Sequence, residues 1–381
     1  MNLTKINQKN VLRRKSRRGP LKLVILAISI ILFAIWFLLA KQLSNGEKDI
    51  ASSHGGSSHT KSSSANTAES LKIDENCLSL PYIKPGGSFF FDVNLKDAPS
   101  HPEIPPPSFH VASYFGGKVT GHMSADIAHF ALLKETLEKK KGGLVFDMGA
   151  NQGFFTYYLA SLGMDVHAFE ISESNFKELQ HGIMFNPKEV ATHLNLYPVG
   201  LGQKTKRFSM KGSEYTGFMK EKGGEGLGNG ELLGVTFDCF AYHSQLDLDH
   251  VAFVKLDVEG FEIAVLKGAH NSLFRKGSKN IGAMLMEVGP GRWFRAGIKL
   301  NEGIEEMMKL SSHFDKTYLI VRKDGEGHAK TCSVSLAKML KDKNPRDLGE
   351  AFMHKVSMKE IGPLMEEMTA KKQDCNFWYS N

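Results

Sequence analysis

Residues 145–156 read Val-Phe-Asp-Met-Gly-Ala-Asn-Gln-Gly-Phe-Phe-Thr, and this run constrains the fold more than any other part of the chain. Residues 144–146 are consecutive apolar residues after Gly142-Gly143, the pattern of a short buried strand. Asp147 falls at the strand's carboxyl end, where open α/β sheets place their ligands. Gly149 and Gly153 permit a sharp turn and a close backbone approach. The helix expected next offers free N–H groups and a positive dipole end. A second apolar run, 166–169, ends in Glu170. It lies roughly 20 residues on, where an acidic side chain can hold both hydroxyls of a ribose. Strand, turn, helix and second acid together predict a nucleoside-containing cofactor.

The details favour S-adenosylmethionine over a dinucleotide. A dinucleotide fingerprint is G-x-G-x-x-G, with its pyrophosphate on the helix. Here the pattern is D-x-G-x-N-x-G, with a carboxylate where a pyrophosphate would be repelled. A carboxylate suits the ammonium of a methionine moiety, and backbone N–H groups suit its carboxylate. The expected cofactor-binding residues are Asp147, Gly149, Asn151, Gly153, Thr156, Glu170 and Ile171.

That run and five further pieces carry a resemblance to a known family. VFDMGANQGFFT (145–156), HAFEIS (167–172), NLYPVGLG (195–202), VTFDCF (235–240), FVKLDVEGFEIAVLKGA (253–269) and MLMEVG (284–289) follow one another in an order that resembles FkbM-type methyltransferases. Lys-Leu-Asp-Val-Glu-Gly-Phe-Glu at 255–262 is the most diagnostic. The resemblance runs from 144 to about 290, well under half the chain. It implies a Rossmann-like class I α/β fold, a mostly parallel sheet with helices on both faces, and O-methylation dependent on S-adenosylmethionine.

Charge and hydropathy divide the rest. The chain of 381 residues carries a formal +7, yet Lys5, Lys9, Arg13, Arg14, Lys15, Arg17, Arg18 and Lys22 put +8 into the first 22 residues, leaving −1 for the remainder. A folded part without basic excess argues against nucleic acid as a partner. Residues 23–40 contain one hydroxyl, Ser29, and no charge. As a helix they would span roughly 27 Å, enough for a thin bilayer. The basic flank predicts a cytoplasmic tail (1–22), a transmembrane signal anchor (23–40) and a lumenal remainder, a single-pass type II arrangement. A cleavable signal peptide is the rival, but Leu38-Leu39-Ala40 is a poor cleavage site. Residues 41–107 read as a stem, small and polar around 52–64 and broken by five prolines at 99–107. The catalytic domain is expected from 108 to 381.

Within it, strands are expected at 144–146, 166–169, 194–199, 251–256, 283–288 and 318–321, alternating with helices as in a parallel sheet. A helix is expected over 125–141, with Ser124 as N-cap and Ile127, Phe130, Ala131, Leu133 and Leu137 as its apolar face. The glycine-rich run 223–234 reads as a loop, either a lid or a plain insertion. Of Cys77, Cys239, Cys332 and Cys375, no two make a C-x-x-C pair, so no zinc site is expected. Cys332 and Cys375 are the expected disulfide, and Cys239 is expected buried and free.

Methyl transfer to an alcohol needs a group that takes the hydroxyl proton. Asp257, after the apolar run 251–256, is the first candidate, Glu259 the second, and Glu287 at the end of the next strand the third. Acid spacing does not demand a metal ion. Lys255 lies within the strand and needs a partner or an exit to solvent. With Arg292 and Trp293, on the loop after Gly289-Pro290-Gly291, it forms the expected acceptor-binding set. Trp293 packing beneath a C-terminal helix is the competing reading. The expectation is an O-methyltransferase in the Golgi or endoplasmic reticulum membrane, acting on a glycan or glycoconjugate hydroxyl. A lipid or small-metabolite acceptor and a non-catalytic lumenal scaffold are the alternatives.

Overall fold

The computed structural model describes Cys77 and residues 120–211, 218–221, 232–275, 277–323 and 332–381. The expected tail (1–22), membrane span (23–40) and, apart from Cys77, stem (41–107) lie outside the described residues. So do 108–119 of the expected catalytic domain. Among the described residues, no helix is long and apolar enough to cross a membrane.

The chain runs through α1 (Thr120–Leu137), β1 (Leu144–Met148), α2 (Phe154–Ser161), β2 (Asp165–Phe169), α3 (Glu173–Gly182), α4 (Lys188–Ala191) and β3 (Leu194–Tyr197). Four short strands follow: β4 (Gly200–Leu201), β5 (Lys206–Lys211), β6 (Phe218–Glu221) and β7 (Leu232–Val235). Next come α5 (Phe237–Ser244), β8 (Val251–Leu256), α6 (Glu262–Lys267), β9 (Ile281–Val288) and a 3-10 helix (Pro290–Ala296). The last part holds α7 (Leu300–Ser312), β10 (Lys316–Arg322), α8 (Val334–Ala337), β11 (Arg346–Asp347), β12 (Ala351–Lys355), α9 (Met358–Lys371) and β13 (Cys375–Ser380).

The main sheet has the order β11-β12-β10-β13-β9-β8-β1-β2-β3. Strands β3, β2, β1, β8 and β9 pair in parallel. Such strands are covered on both faces and read as continuous apolar runs. Their alternation sorts side chains between two cores. Phe146, Met148, Val254 and Leu256 join the core beneath α5, α6, α7 and α9. Val145, Ala252 and Phe253 join the core beneath α1, α2 and α3. The sheet is therefore doubly wound and Rossmann-like.

Side-chain caps set several helix starts. Ser172 accepts from the Asn175 N–H before α3, and Thr236 from the Cys239 N–H before α5. Ser357 and Glu360 form a capping box on α9. The expected helix at 125–141 is α1, but it starts at Thr120, so Ser124 is an interior residue and not a cap. Its face also differs: Ala131 is exposed and Leu132 buried. Tertiary packing against α2, where Tyr158 Oη donates to the Phe130 carbonyl, chose the face.

Three features depart further from the sequence-based expectation. Strand β13 inserts antiparallel between β9 and β10. A second sheet, β4-β7-β5-β6, stands where only a glycine-rich interruption was expected. Residues 232–234 of that run belong to β7, and 222–231 lie outside the described residues. These strands are two to six residues long, too short for a period-2 pattern to stand out. Cys239 is buried but not free. It bridges Cys77, 162 residues away, a pairing that only proximity in the folded chain reveals. Cys332 bridges Cys375 as expected.

Candidate active site

The site begins with strand register. Asp147 on β1 lies opposite Lys255 on β8. The Lys255 ammonium stands 3.6 Å from Asp147 Oδ1 and 3.4 Å from Asp257 Oδ2, and it donates to the Gly149 carbonyl at 2.9 Å. It also lies 5.2 Å from the centre of the Phe155 ring. Burial lowers the Lys255 pKa, but the two carboxylates outweigh burial and hold it above the usual lysine value. Asp147 is wholly buried. Burial raises its pKa, and Lys255 and the Thr156 hydroxyl oppose that rise. Thr156 Oγ1 donates to Asp147 Oδ2 at 2.6 Å, while Asp147 Oδ1 has no hydrogen-bond partner among the described residues.

Between β1 and α2 the backbone enters the left-handed region three times, at Gly149 (φ 91°), Asn151 (φ 52°) and Gly153 (φ 95°). Asparagine tolerates that region better than most residues. At Gly149 a side chain is excluded twice, because a Cβ would also overlap the Asp257 carbonyl. The turn after β1 and the loop after β8 therefore touch backbone to backbone. Glu170, at the end of β2, accepts from the Asn151 N–H at 2.8 Å through Oε2 and from the Ser172 N–H at 2.7 Å through Oε1. Burial raises its pKa against those bonds. A carboxylate has about four acceptor positions, so two stay open for hydroxyl donors. Ile171 follows, half-buried against Gly200, Phe261 and Val258. This donor set fits a nucleoside cofactor: a buried acid at the second strand's end, and a turn whose N–H groups lead into a helix.

Three carboxylates converge at the carboxyl ends of β8 and β9. Asp257, Glu259 and Glu287 each bring an oxygen within 4.8 Å of the others, a set that fits a divalent cation. A guanidinium already occupies part of that space. Arg292 donates to Glu259 Oε2 through Nη1 and to Glu287 Oε2 through Nη2 at 2.8 Å, and lies 3.4 Å from Asp374. Arg295 Nη1 donates to the Glu259 carbonyl at 3.0 Å. Burial and the charge of Asp257 push Glu287 well above the carboxylate range, against Arg292. Burial likewise raises Glu259.

The turn presenting these acids is itself held. Glu259 (φ 54°) and Gly260 (φ 102°) are consecutive left-handed residues. The Gly260 N–H donates at 2.7 Å to Oε1 of Glu262, a fully buried carboxyl whose pKa burial raises to about 7. Glu262 and Asp374 were not foreseen as parts of the site. Glu262 stood in the diagnostic 255–262 segment, so its pattern was visible, whereas nothing local marks Asp374.

Several expected roles change. Trp293 is 1% exposed, in the core, where a side chain on Gly303 of α7 would overlap its ring. It packs beneath the helix and is not an acceptor contact. Lys255 spends its charge on Asp147, Asp257 and Gly149, so it braces the site from within. Arg292 is likewise tied to three carboxylates. Thr156 holds Asp147, and both are wholly buried, so both support the turn.

Residues 147–318 match the family model described as the methyltransferase FkbM domain. No curated protein sequence matches the chain. Similar solved structures include a precorrin-6Y C5,15-methyltransferase from Geobacter metallireducens, at 10% identity over 73% of this chain and 96% of that one, TM-score 0.31. An O-methyltransferase from Bacillus cereus in complex with SAH is 12% identical over 52% and 74%, TM-score 0.30. A protein from Galdieria sulphuraria described as a putative sarcosine dimethylglycine methyltransferase is 10% identical over 68% and 85%, TM-score 0.33.

Proposed function

From the FkbM-type methyltransferase domain that this chain carries at residues 147–318, we propose an S-adenosylmethionine-dependent O-methyltransferase, anchored as a type II membrane protein, that methylates a glycan or glycoconjugate hydroxyl in the Golgi or endoplasmic reticulum. S-adenosylmethionine supplies an electrophilic methyl group. Glu170 would hold its ribose hydroxyls with the acceptor positions that Asn151 and Ser172 leave open. The N–H groups of the 149–153 turn and the start of α2 would hold its carboxylate. Ile171 and Val258 would flank it with apolar surface. Asp147 and Thr156 keep the turn in shape from beneath.

The observation that carries the reaction type is the convergence of Asp257, Glu259 and Glu287 beside that turn. Asp257 takes the proton of the acceptor hydroxyl as its oxygen becomes methylated, and passes it to solvent. General-base assistance of this kind contributes typically 10²–10⁴ in rate. Glu287 is the second carboxylate in reach, and Arg292 restrains it together with Glu259.

The compartment rests on two supports. All four cysteines are paired, and disulfides persist in oxidising compartments. The eight basic residues before 23–40 favour a cytoplasmic tail.

The test uses the full chain in detergent micelles, labelled S-adenosylmethionine and a panel of glycans and lipids, with Asp257→Asn as control. Label in a glycan class, lost in the control, is the expected result. Label confined to lipids would refute the acceptor class. No thermal stabilisation by saturating cofactor would refute enzymatic function altogether.

A further inference from the structure

The 3-10 helix Pro290–Ala296 points its side chains in three directions, because three residues make one turn. Arg292 and Arg295 share one side, and both donate to Glu259. Trp293 takes the second, into the core. Phe294 takes the third and is 72% exposed. Among the described residues, the next most exposed large hydrophobic is Val334 at 43%, and none of the others is aromatic. A single exposed apolar residue is ordinary. What distinguishes Phe294 is the rigidity and position of its helix. Arg292 ties that helix to Glu259, Glu287 and Asp374. Ala296 packs in a small apolar cluster with Ile171, Leu232, Val258 and Phe261, which joins the helix to the end of β2 and to the second sheet. The exposed ring is therefore carried on an element bound both to the carboxylates and to the cofactor side.

Charge narrows what can lie against it. Lys255 is committed to Asp147 and Asp257, Arg292 to Glu259, Glu287 and Asp374, and Arg295 to the Glu259 carbonyl. Among the described side chains, these cations are spent on the site itself, while the carboxylates keep acceptor positions open for hydroxyl donors. An acceptor suited to this surface has one apolar face, several hydroxyls on its edge and no negative charge.

We infer that Phe294 is the stacking platform for an uncharged sugar ring, whose C–H face lies on the phenyl ring and whose hydroxyl edge turns toward Asp257 and Glu287. The inference rests on the reading of the site as a glycan O-methyltransferase and narrows its acceptor to neutral sugars.

The test compares the wild-type chain in detergent with Phe294→Trp, Phe294→Leu and Phe294→Ala. Acceptors are neutral mannosyl, galactosyl and xylosyl oligosaccharides and an oligogalacturonate. Saccharide binding by saturation-transfer NMR, methyl transfer and cofactor affinity are each measured. Stacking contributes enough that both Leu and Ala are expected to raise the acceptor KM about tenfold. Trp is expected to retain it, cofactor affinity to stay constant in all, and the uronate to be a poorer acceptor than the neutral sugars. Wild-type behaviour in Phe294→Leu would mean a merely greasy contact and overturn the proposal, as would an unaffected Phe294→Ala. Methylation that ignores Phe294 sinks this inference and leaves the broader function standing. Saccharide binding that depends on Phe294 without methylation does the reverse. No saccharide binding by the wild type sinks both.

Discussion

The ammonium of Lys255 donates to the carbonyl oxygen of Gly149 at 2.9 Å, across 106 residues of sequence. That bond fastens the end of β8 to the turn after β1. The same nitrogen sits between Asp147 and Asp257, so a buried charge, the 149–153 turn and the candidate base share one brace.

Lys255→Met should therefore be severely destabilising. Removing one partner from a buried ionic cluster leaves the other uncompensated and costs about 3–5 kcal/mol. Urea unfolding reads the loss. A variant within 1 kcal/mol of wild type would show that Asp147 is neutralised some other way.

Asp257→Asn should lower kcat by roughly 10²–10⁴ while leaving cofactor affinity within about twofold. Asp257 is a partly exposed partner of Lys255, so Asn should also cost some stability, but Asp147 still compensates the ammonium and folding should survive. Equal kcat in the two proteins would move the base to Glu287.

Glu262 gives stability a definite pH dependence. Its carboxyl is fully buried and titrates near about 7, above its ordinary 4.5. The folded state thus binds the proton more tightly than the unfolded chain, and stability falls as pH rises from about 4.5 to about 7. Above that window the penalty is complete, about 3 kcal/mol. Glu262→Gln keeps an oxygen for the Gly260 N–H and cannot ionise. It should be more stable than wild type at pH 8 and flatten the dependence between those limits. Parallel stability curves for the two proteins from pH 5 to 8 would count against this account.

Cys375→Ser should cost about 2–4 kcal/mol, since the bridge to Cys332 closes a loop 43 residues long. Asp374 precedes Cys375 and faces Arg292, so turnover should fall along with stability. Chemical unfolding and initial rates, each with and without reductant, separate the two losses.

How far local reading reaches can be seen in particular elements. Residues 251–256 are a buried parallel strand and were legible as one, because a strand covered on both faces must be apolar along its length. The turn at Gly149 to Gly153 was legible because few residues other than glycine and asparagine accept its backbone. The placing of Asp257, Glu259 and Glu287 at the carboxyl ends of strands was legible because open α/β sheets put their ligands there. By contrast, β4 to β7 are only two to six residues long, too short for a clear alternation, so their sheet was not visible.

The sequence by itself determined the doubly wound core, the glycine-bearing turn with Glu170, and the acids at the strand ends, since each follows from rules acting over a few residues. Tertiary structure alone decided that Lys255 and Arg292 turn toward carboxylates, that Trp293 enters the core while Phe294 faces out, that Cys239 meets Cys77, and that β13 inserts between β9 and β10. Those outcomes depend on which strands become neighbours and which side of a helix finds the core. Packing of the whole domain sets both, through contacts between residues tens to hundreds of positions apart.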